Sequence, residues 1–351
     1  MKAAVMTQFR EPVEVQEVSD PTPGPNDALI EVKGCGVCRS DWHAWQQDLS
    51  WVGVKIDLPH ILGHEISGVV REVGRDVRKF KPGDRVTMTF HTACGQCRAC
   101  YSGHSNLCRS GYGAIGFDFN GGYGHLVVMP AADVNLVHLP DAVDFASAAA
   151  LGCRFMTAFH GLVDRAEVRP GEWIAVFGLG GIGLSAVQIA STLGAQVIAV
   201  DISDNKLEMA KTEGAAATLN ASEQKTTKAI MDLTGGGADL SVDALGMSQT
   251  ALPAVSSLRR GGRHLQIGLT SKEDQGKIAL PVDAMVLQEI SFIGTFGCPT
   301  TSYPGLLTLV ANGKLNPQSL VTDTIPIEHV NDVLSAMTDF STVGFQVIDS
   351  W

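Results

Sequence analysis

Val176-Phe177-Gly178-Leu179-Gly180-Gly181-Ile182-Gly183-Leu184 carries an apolar run into a glycine turn and out into a helical pattern. Trp173 to Phe177 reads as a buried strand, and Leu184 to Ala190 as the helix that follows it. Gly178, Gly180 and Gly183 spell Gly-x-Gly-x-x-Gly. In that pattern glycine permits a tight turn, brings backbone close to a diphosphate and lets helix pack on strand. Gly181 and Ile182 lie between these glycines and the helix, whose N-terminus offers free N–H groups and a partial positive charge to phosphate oxygens. A second apolar strand, Gln196 to Val200, ends at Asp201, eighteen residues beyond Gly183. This is close to the ~20-residue spacing at which a carboxylate meets the ribose hydroxyls of an adenosine. Such a carboxylate repels a 2′-phosphate, which favours NAD over NADP, and nearby Lys206 tempers that preference. The competing reading of Asp201 is a cap for the helix around Asn205 to Glu208.

A chain of 351 residues can build two domains with sizeable cores. Its hydrophobic content of 45% and charged content of 18% are those of an ordinary globular protein. The net charge of −11, without a basic cluster, argues against nucleic acid or an anionic membrane surface as partner. Gln8 and Arg10 interrupt the N-terminal segment too early for a signal peptide, and no apolar run approaches the ~20 residues of a membrane span. A cytoplasmic protein is expected.

Working outward, the segment up to about Asp133 reads as short strands and turns. Ala28 to Val32 and Gly68 to Gly74 are strands, and Lys81 to Val86 is a turn feeding a third. From about Cys153 to Phe292 strands alternate with helices, which implies βαβ units and a parallel sheet. Leu240 to Leu245 and Arg263 to Leu269 are its later strands, each ending near a glycine where a cofactor could lie. The tail holds a helical stretch, Pro304 to Asn312, and a last strand over Gly344 to Ile348.

Eight cysteines are present, four of them in one loop at Cys94, Cys97, Cys100 and Cys108. Two Cys-x-x-Cys steps and a short return can set four thiolates tetrahedrally around one zinc, leaving no open position. Such a site is structural and contributes folding energy to a loop without its own core. Redox cysteines, disulfides or an iron–sulfur cluster are the other readings of that spacing.

Several further stretches fall in a familiar order: Gly36-Val37-Cys38-Arg39-Ser40-Asp41-Trp42-His43, Gly63-His64-Glu65, the four-cysteine loop, Leu151-Gly152-Cys153, the glycine motif and Asp201. Together they make the chain resemble the zinc-dependent medium-chain alcohol dehydrogenases over essentially its whole length. The resemblance implies an α/β protein with a mainly β, GroES-like catalytic domain over residues 1–152. A Rossmann cofactor domain with a doubly wound parallel sheet would span 153–293, and residues 294–351 would return to the catalytic domain. It implies two zinc ions per chain and NAD, with a catalytic zinc on Cys38, His64 and Cys153. Two thiolates and an imidazole with a fourth position left over are a reasonable donor set for a catalytic zinc. Glu65 lies behind the metal in this family and is expected to support it or to act as an occasional ligand. Asp41 resembles the carboxylate that orients the metal-binding imidazole. Cys35 and Cys298 are read as packed thiols.

The resemblance further implies hydride transfer between an alcohol and NAD, giving an aldehyde or ketone. Ser40 and His43 match a relay that carries the alcohol proton to solvent; a hydroxyl can donate and accept at once, and an imidazole titrates near neutrality. Arg39 matches a diphosphate-binding position, Thr157 and Ile182 match positions behind the nicotinamide, and Phe90 matches a substrate-pocket wall. Trp42, Trp45 and Trp51 crowd the segment after Ser40, where Trp45 in particular would line the pocket or pack the loop. A homo-oligomer is expected, a tetramer before a dimer, assembled through the cofactor-domain sheet edge near Phe292 to Cys298. A polyol, amino-alcohol or cyclic-alcohol dehydrogenase is the neighbouring reading. Zinc-free alkene reductases share the fold but lack these cysteines. A zinc- and nucleotide-binding protein without turnover is the reading from another class.

Overall fold

A computed structural model describes residues 1–48, 53–111, 113–270 and 274–351. The chain divides into two units, Met1–Met156 with Gly297–Trp351, and Thr157–Phe296. Both divisions lie a few residues beyond the boundaries expected from the sequence. The first falls inside one helical run, from Phe145 to Arg165, so composition does not mark it. Cys153 stays with the first unit.

The first unit opens with β1 (Lys2–Val5) and β2 (Glu14–Glu17), an antiparallel pair. Next come β3 (Ala28–Val37), β4 (Glu65–Val73), β5 (Arg85–Met88), β6 (Leu126–Met129) and β7 (Leu136–His138). In the second unit, β8 (Trp173–Phe177), β9 (Gln196–Asp201), β10 (Ala217–Asn220), β11 (Ala238–Asp243), β12 (Leu258–Gln266) and β13 (Ser291–Gly294) alternate with helices. The chain then returns to the first unit with β14 (Val321–Pro326) and β15 (Phe345–Ser350).

The first unit's main sheet runs β14-β15-β3-β4-β5-β7, with β6 also paired to β3. Only β14 and β15 are parallel; the other pairs are antiparallel. The β3–β4 register sets Gly36 opposite Glu65. Cys38, just past β3, and His64, just before β4, therefore emerge at the same end of the sheet.

The second unit is a six-stranded parallel sheet in the order β10-β9-β8-β11-β12-β13. Counting from β8, this is the 3-2-1-4-5-6 order of a doubly wound dinucleotide-binding sheet, whose switch point lies between the first and fourth strands. Ala175 and Phe177 on β8 and Ile198 and Val200 on β9 turn alternate side chains into one core with Leu219, Ile230, Ala238 and Ala254. β12 begins five residues before its expected start at Arg263. A register shift between β11 and β12 takes Arg259 to Gly262 into the strand. Ala244 and Leu245, expected to end a strand, lie beyond β11.

Candidate active site and cofactor crevice

The helix Arg39–Trp45 starts where β3 ends, with Cys38 at its N-cap. Asp41, in the first turn, closes a capping arrangement by accepting the Cys38 backbone N–H at 3.0 Å. Its other oxygen accepts the Gly63 N–H at 3.1 Å and lies 2.9 Å from His64 Nδ1. Asp41 and His64 are both buried. A carboxylate can only accept here, so Nδ1 carries the proton and Nε2 presents its lone pair.

That Nε2 is buried without a hydrogen-bond partner. Cys38, His64, Glu65 and Cys153 each bring a ligand atom within 4.8 Å of the others, and Cys153 alone is half-exposed. An orphaned imidazole nitrogen between two thiols is a costly arrangement for a buried site unless a cation completes it. The donor set fits zinc.

Cys153 arrives on a widened helical turn, Leu151–Phe155, that breaks helical geometry at Gly152. A side chain on Gly152 would come within 2.4 Å of Glu65 Cβ. Glu65 itself is held from behind by Arg154: its Oε1 accepts the Arg154 backbone N–H at 3.1 Å and Nε–H at 3.0 Å, and its Oε2 pairs with Nη2. Burial pushes the Glu65 carboxyl up to about 7 despite the pull of that guanidinium. Arg154 also stacks 3.9 Å over the Phe345 ring. Sequence reading missed Arg154, although its place next to Cys153 and the buried carboxylate beside the metal were a usable hint.

Ser40 sits half-buried in the first turn of the helix Arg39–Trp45, one turn before His43. His43 Nδ1 lies 3.0 Å from Asp48 Oδ2, a second residue missed from sequence. Phe90 meets the His64 ring edge-on at 5.9 Å between centroids, and Phe117 lies at 5.0 Å from it. Both phenylalanines therefore wall the histidine side of the metal set. Trp45 corrects an expectation: its ring is buried and its indole N–H donates to the Glu11 carbonyl at 2.6 Å, so it packs the loop. Trp51 lies outside the described residues. Arg39 stacks between Trp42 and Phe340, at 3.7 and 4.3 Å, and donates to the Met337 carbonyl. Cys35 and Cys298 are buried and belong to neither metal group.

In the second group the sulfurs of Cys97 and Cys100, Cys97 and Cys108, and Cys108 and Cys94 are 3.6, 3.7 and 3.6 Å apart. Tetrahedral zinc with bonds of about 2.3 Å sets its sulfurs about 3.8 Å apart, so the four thiols are already near the right polyhedron. The Cys100 backbone pulls the Cys97 thiol down to about 6, while burial pushes Cys100 up to about 12. The four cannot all ionise together without a cation among them. None of the eight cysteines is joined in a disulfide, which removes the disulfide reading.

In the second unit Gly178 has φ +85° and a side chain there would strike Leu245, while one on Gly183 would come within 1.8 Å of the Gly178 carbonyl. Gly180, the N-cap of the helix Gly181–Thr192, faces open space instead. This is the cradle a diphosphate needs. Asp201 accepts N–H groups from Leu179, Ile202 and Ser203 at 2.7, 2.8 and 3.0 Å, so it braces the glycine turn. Ser203, not Asp201, is the N-cap of the next helix. A carboxylate has about four acceptor sites, which leaves Asp201 capacity for ribose hydroxyls. Ile202, Leu245, Met247 and Leu269 leave apolar surface exposed just past β9, β11 and β12, as an uncovered nucleotide site would. Thr157 is buried at the start of this unit, Ile182 lies half-buried in the first turn after the glycines, and Lys206 is half-buried two residues after Asp204.

Comparison with known proteins agrees with this geometry. Residues 24–141 match the model of the alcohol dehydrogenase GroES-like domain, and residues 181–312 that of the zinc-binding dehydrogenases. An alcohol dehydrogenase of Geobacillus stearothermophilus is 38% identical over 339 residues, covering 96% of each chain. An NAD-dependent alcohol dehydrogenase of Sulfurisphaera tokodaii is 30% identical and covers 99% of each. The cobalt- and zinc-bound thermostable alcohol dehydrogenase of Pyrobaculum aerophilum superposes with a TM-score of 0.86 at 30% identity, again over 99% of each chain.

Proposed function

Since the chain belongs to the zinc-dependent medium-chain alcohol dehydrogenase family, we propose that it oxidises primary or secondary alcohols with NAD, reversibly, to aldehydes or ketones. One observation carries the reading: two thiols and an orphaned, pre-oriented imidazole converge with one side half-exposed. When bound there, zinc supplies Lewis acidity to the alcohol oxygen and NAD accepts the hydride. The chain's own work is to hold, orient and deprotonate. Asp41 fixes the tautomer of His64. Phe90 and Phe117 exclude water beside that ring. Gly178, Gly180, Gly181 and Gly183 receive the diphosphate, and Asp201 takes the ribose hydroxyls. Thr157 and Ile182 support the nicotinamide.

Ser40 and His43 pass the alcohol proton outward, and Asp48 fixes the imidazole so that Nδ1 carries a hydrogen and Nε2 receives the incoming proton. Burial lowers the His43 pKa below the ordinary imidazole value, and the Asp48 carboxylate opposes that fall; Arg39 lowers it further and Cys38 raises it. Alcohol oxidation needs His43 unprotonated. Removing the Asp48 charge in Asp48→Asn lets the pKa fall, so the acid limb of kcat/KM against pH moves to lower pH. A limb that stays in place or moves to higher pH contradicts the assignment.

β13 is an outermost strand with Phe292 exposed, and the helix Val282–Leu287 just before it exposes Val282, Val286 and Leu287. An uncovered edge with an apolar flank favours pairing with a second copy. A tetramer is the expected state, so light scattering should give close to four times the 37.2 kDa chain mass; a monomer mass contradicts it. No helix among the described residues is long and apolar enough to cross a membrane. With no cysteine in a disulfide, a reducing cytoplasm is the compartment we assign. NAD reduction over a panel of primary, secondary, cyclic and polyol alcohols tests the reaction class; no turnover on any of them, with zinc bound, overturns it.

A further inference from the structure

A hydrogen-bonded chain of polar side chains crosses the interior of the second unit. Ser241 Oγ lies 2.9 Å from His264 Nδ1, and His264 Nε2 lies 3.1 Å from Gln266 Oε1. Gln266 Nε2 donates to Asp243 Oδ2 at 2.8 Å and to the Gly268 carbonyl at 2.9 Å. Ser241, His264 and Asp243 are fully buried. Both partners of the Gln266 amide nitrogen are acceptors, which assigns the amide orientation. Gln266 Oε1 must then accept from His264 Nε2–H, and Nδ1 accepts from the Ser241 hydroxyl. Burial also holds His264 below the ordinary imidazole pKa, in keeping with this neutral tautomer.

The chain ends on a carboxylate that organises two turns. Asp243 accepts the backbone N–H groups of Leu245 and Gly246 at 3.0 and 3.1 Å and the Thr250 hydroxyl at 3.0 Å. Ala244 N–H donates to the Phe177 carbonyl at 3.0 Å, which ties this turn to the end of β8. The Leu245 side chain stands where a Gly178 side chain would be. A side chain on Gly246 would come within 2.0 Å of the Leu269 carbonyl, so the turns after β11 and β12 touch. The two turns follow β11 and β12, beside the switch point between β8 and β11, and both expose apolar side chains, Leu245 and Leu269.

We propose that Ser241, His264, Gln266 and Asp243 form a positioning chain that fixes the two turns walling the dinucleotide crevice. Affinity for NAD then depends on a histidine with no exposed surface, which cannot itself touch the cofactor. The inference rests on the reading of this crevice as the NAD site. Each broken link leaves a buried polar group unpaired and releases a turn that must otherwise be ordered on binding.

The test is NADH binding followed by nicotinamide fluorescence, with NAD kinetics on the zinc-loaded enzyme. Asp243→Asn, which sets an amide N–H against existing donors, is expected to weaken NADH by about tenfold, and His264→Phe and Thr250→Val by about threefold. In each, KM for NAD should rise by more than kcat falls, a split that general loss of packing does not produce. Thr250 is only half-buried, so its variant keeps the test alive if a core variant fails to fold. Gly180→Val fills the open face of the glycine turn and should abolish binding. If it does, yet the folded chain variants bind NADH within twofold of the parent, the positioning role is wrong and the crevice reading stands. If Gly180→Val binds like the parent, the crevice reading fails and takes the proposal with it.

Discussion

Replacing Cys153 with serine is expected to lower kcat/KM for alcohol oxidation by roughly 10³-fold, or about 4 kcal/mol, and to leave one zinc per chain. The hydroxyl is a poor zinc ligand at neutral pH because it stays protonated where a thiolate forms. Cys153 is the half-exposed member of its group, so the loss should reach the reaction without collapsing the fold. The Cys94, Cys97, Cys100 and Cys108 group is a separate set and should keep its ion. Zinc counting on the purified variant, beside its kinetics, checks both parts. Retention of two ions, or activity within tenfold of the parent, contradicts the assignment.

Cys97→Ser should act on stability in place of chemistry. The loop carrying these cysteines has only a single helical turn, Arg98–Tyr101, and a 3₁₀ turn, Ser105–Leu107, and Tyr101 and Leu107 are exposed. A segment with so little buried surface depends on its metal for folding. Its loss is expected to cost several kcal/mol, on the order of 4 or more, and to lower the thermal midpoint by about 10 °C. Protease cleavage should begin within this loop, while the remaining zinc stays on Cys38, His64 and Cys153. An unchanged midpoint and an intact loop would show that the four thiols are not a structural site.

Much of this was legible because it is local. The glycine turn and the four-cysteine loop each lie within one stretch of chain, where spacing alone fixes which groups can meet. β8 runs from Trp173 to Phe177 as the apolar run suggested, and the following helix extends from Gly181 to Thr192. Cys38, His64 and Cys153 are far apart in sequence and were joined only by resemblance. In the structure the register of β3 on β4 and the turn at Gly152 bring them together.

What escaped notice is what depends on distant partners. Glu65 and Arg154 lie 89 positions apart, and only their places next to His64 and Cys153 hint at the buried pair. Ser241, His264, Gln266 and Asp243 sit at the end of strands that read as ordinary apolar runs with a few polar interruptions. Their pairing needs the parallel register that sets Ser241 beside His264 and Asp243 beside Gln266. Trp45 was ambiguous because an indole serves equally as a pocket wall or a loop anchor, and its donor to Glu11 decides for the anchor. Asp201 was read only for the ribose or a helix cap, and its hold on the glycine turn through the Leu179 N–H went unseen because it needs the turn's geometry.

The most direct test of a zinc-dependent alcohol dehydrogenase is NAD reduction by an alcohol substrate before and after chelation, with zinc then restored. Turnover that disappears when the ion on Cys38, His64 and Cys153 is removed, and returns with one zinc per site, is the predicted result. Turnover indifferent to removal of that zinc would contradict it.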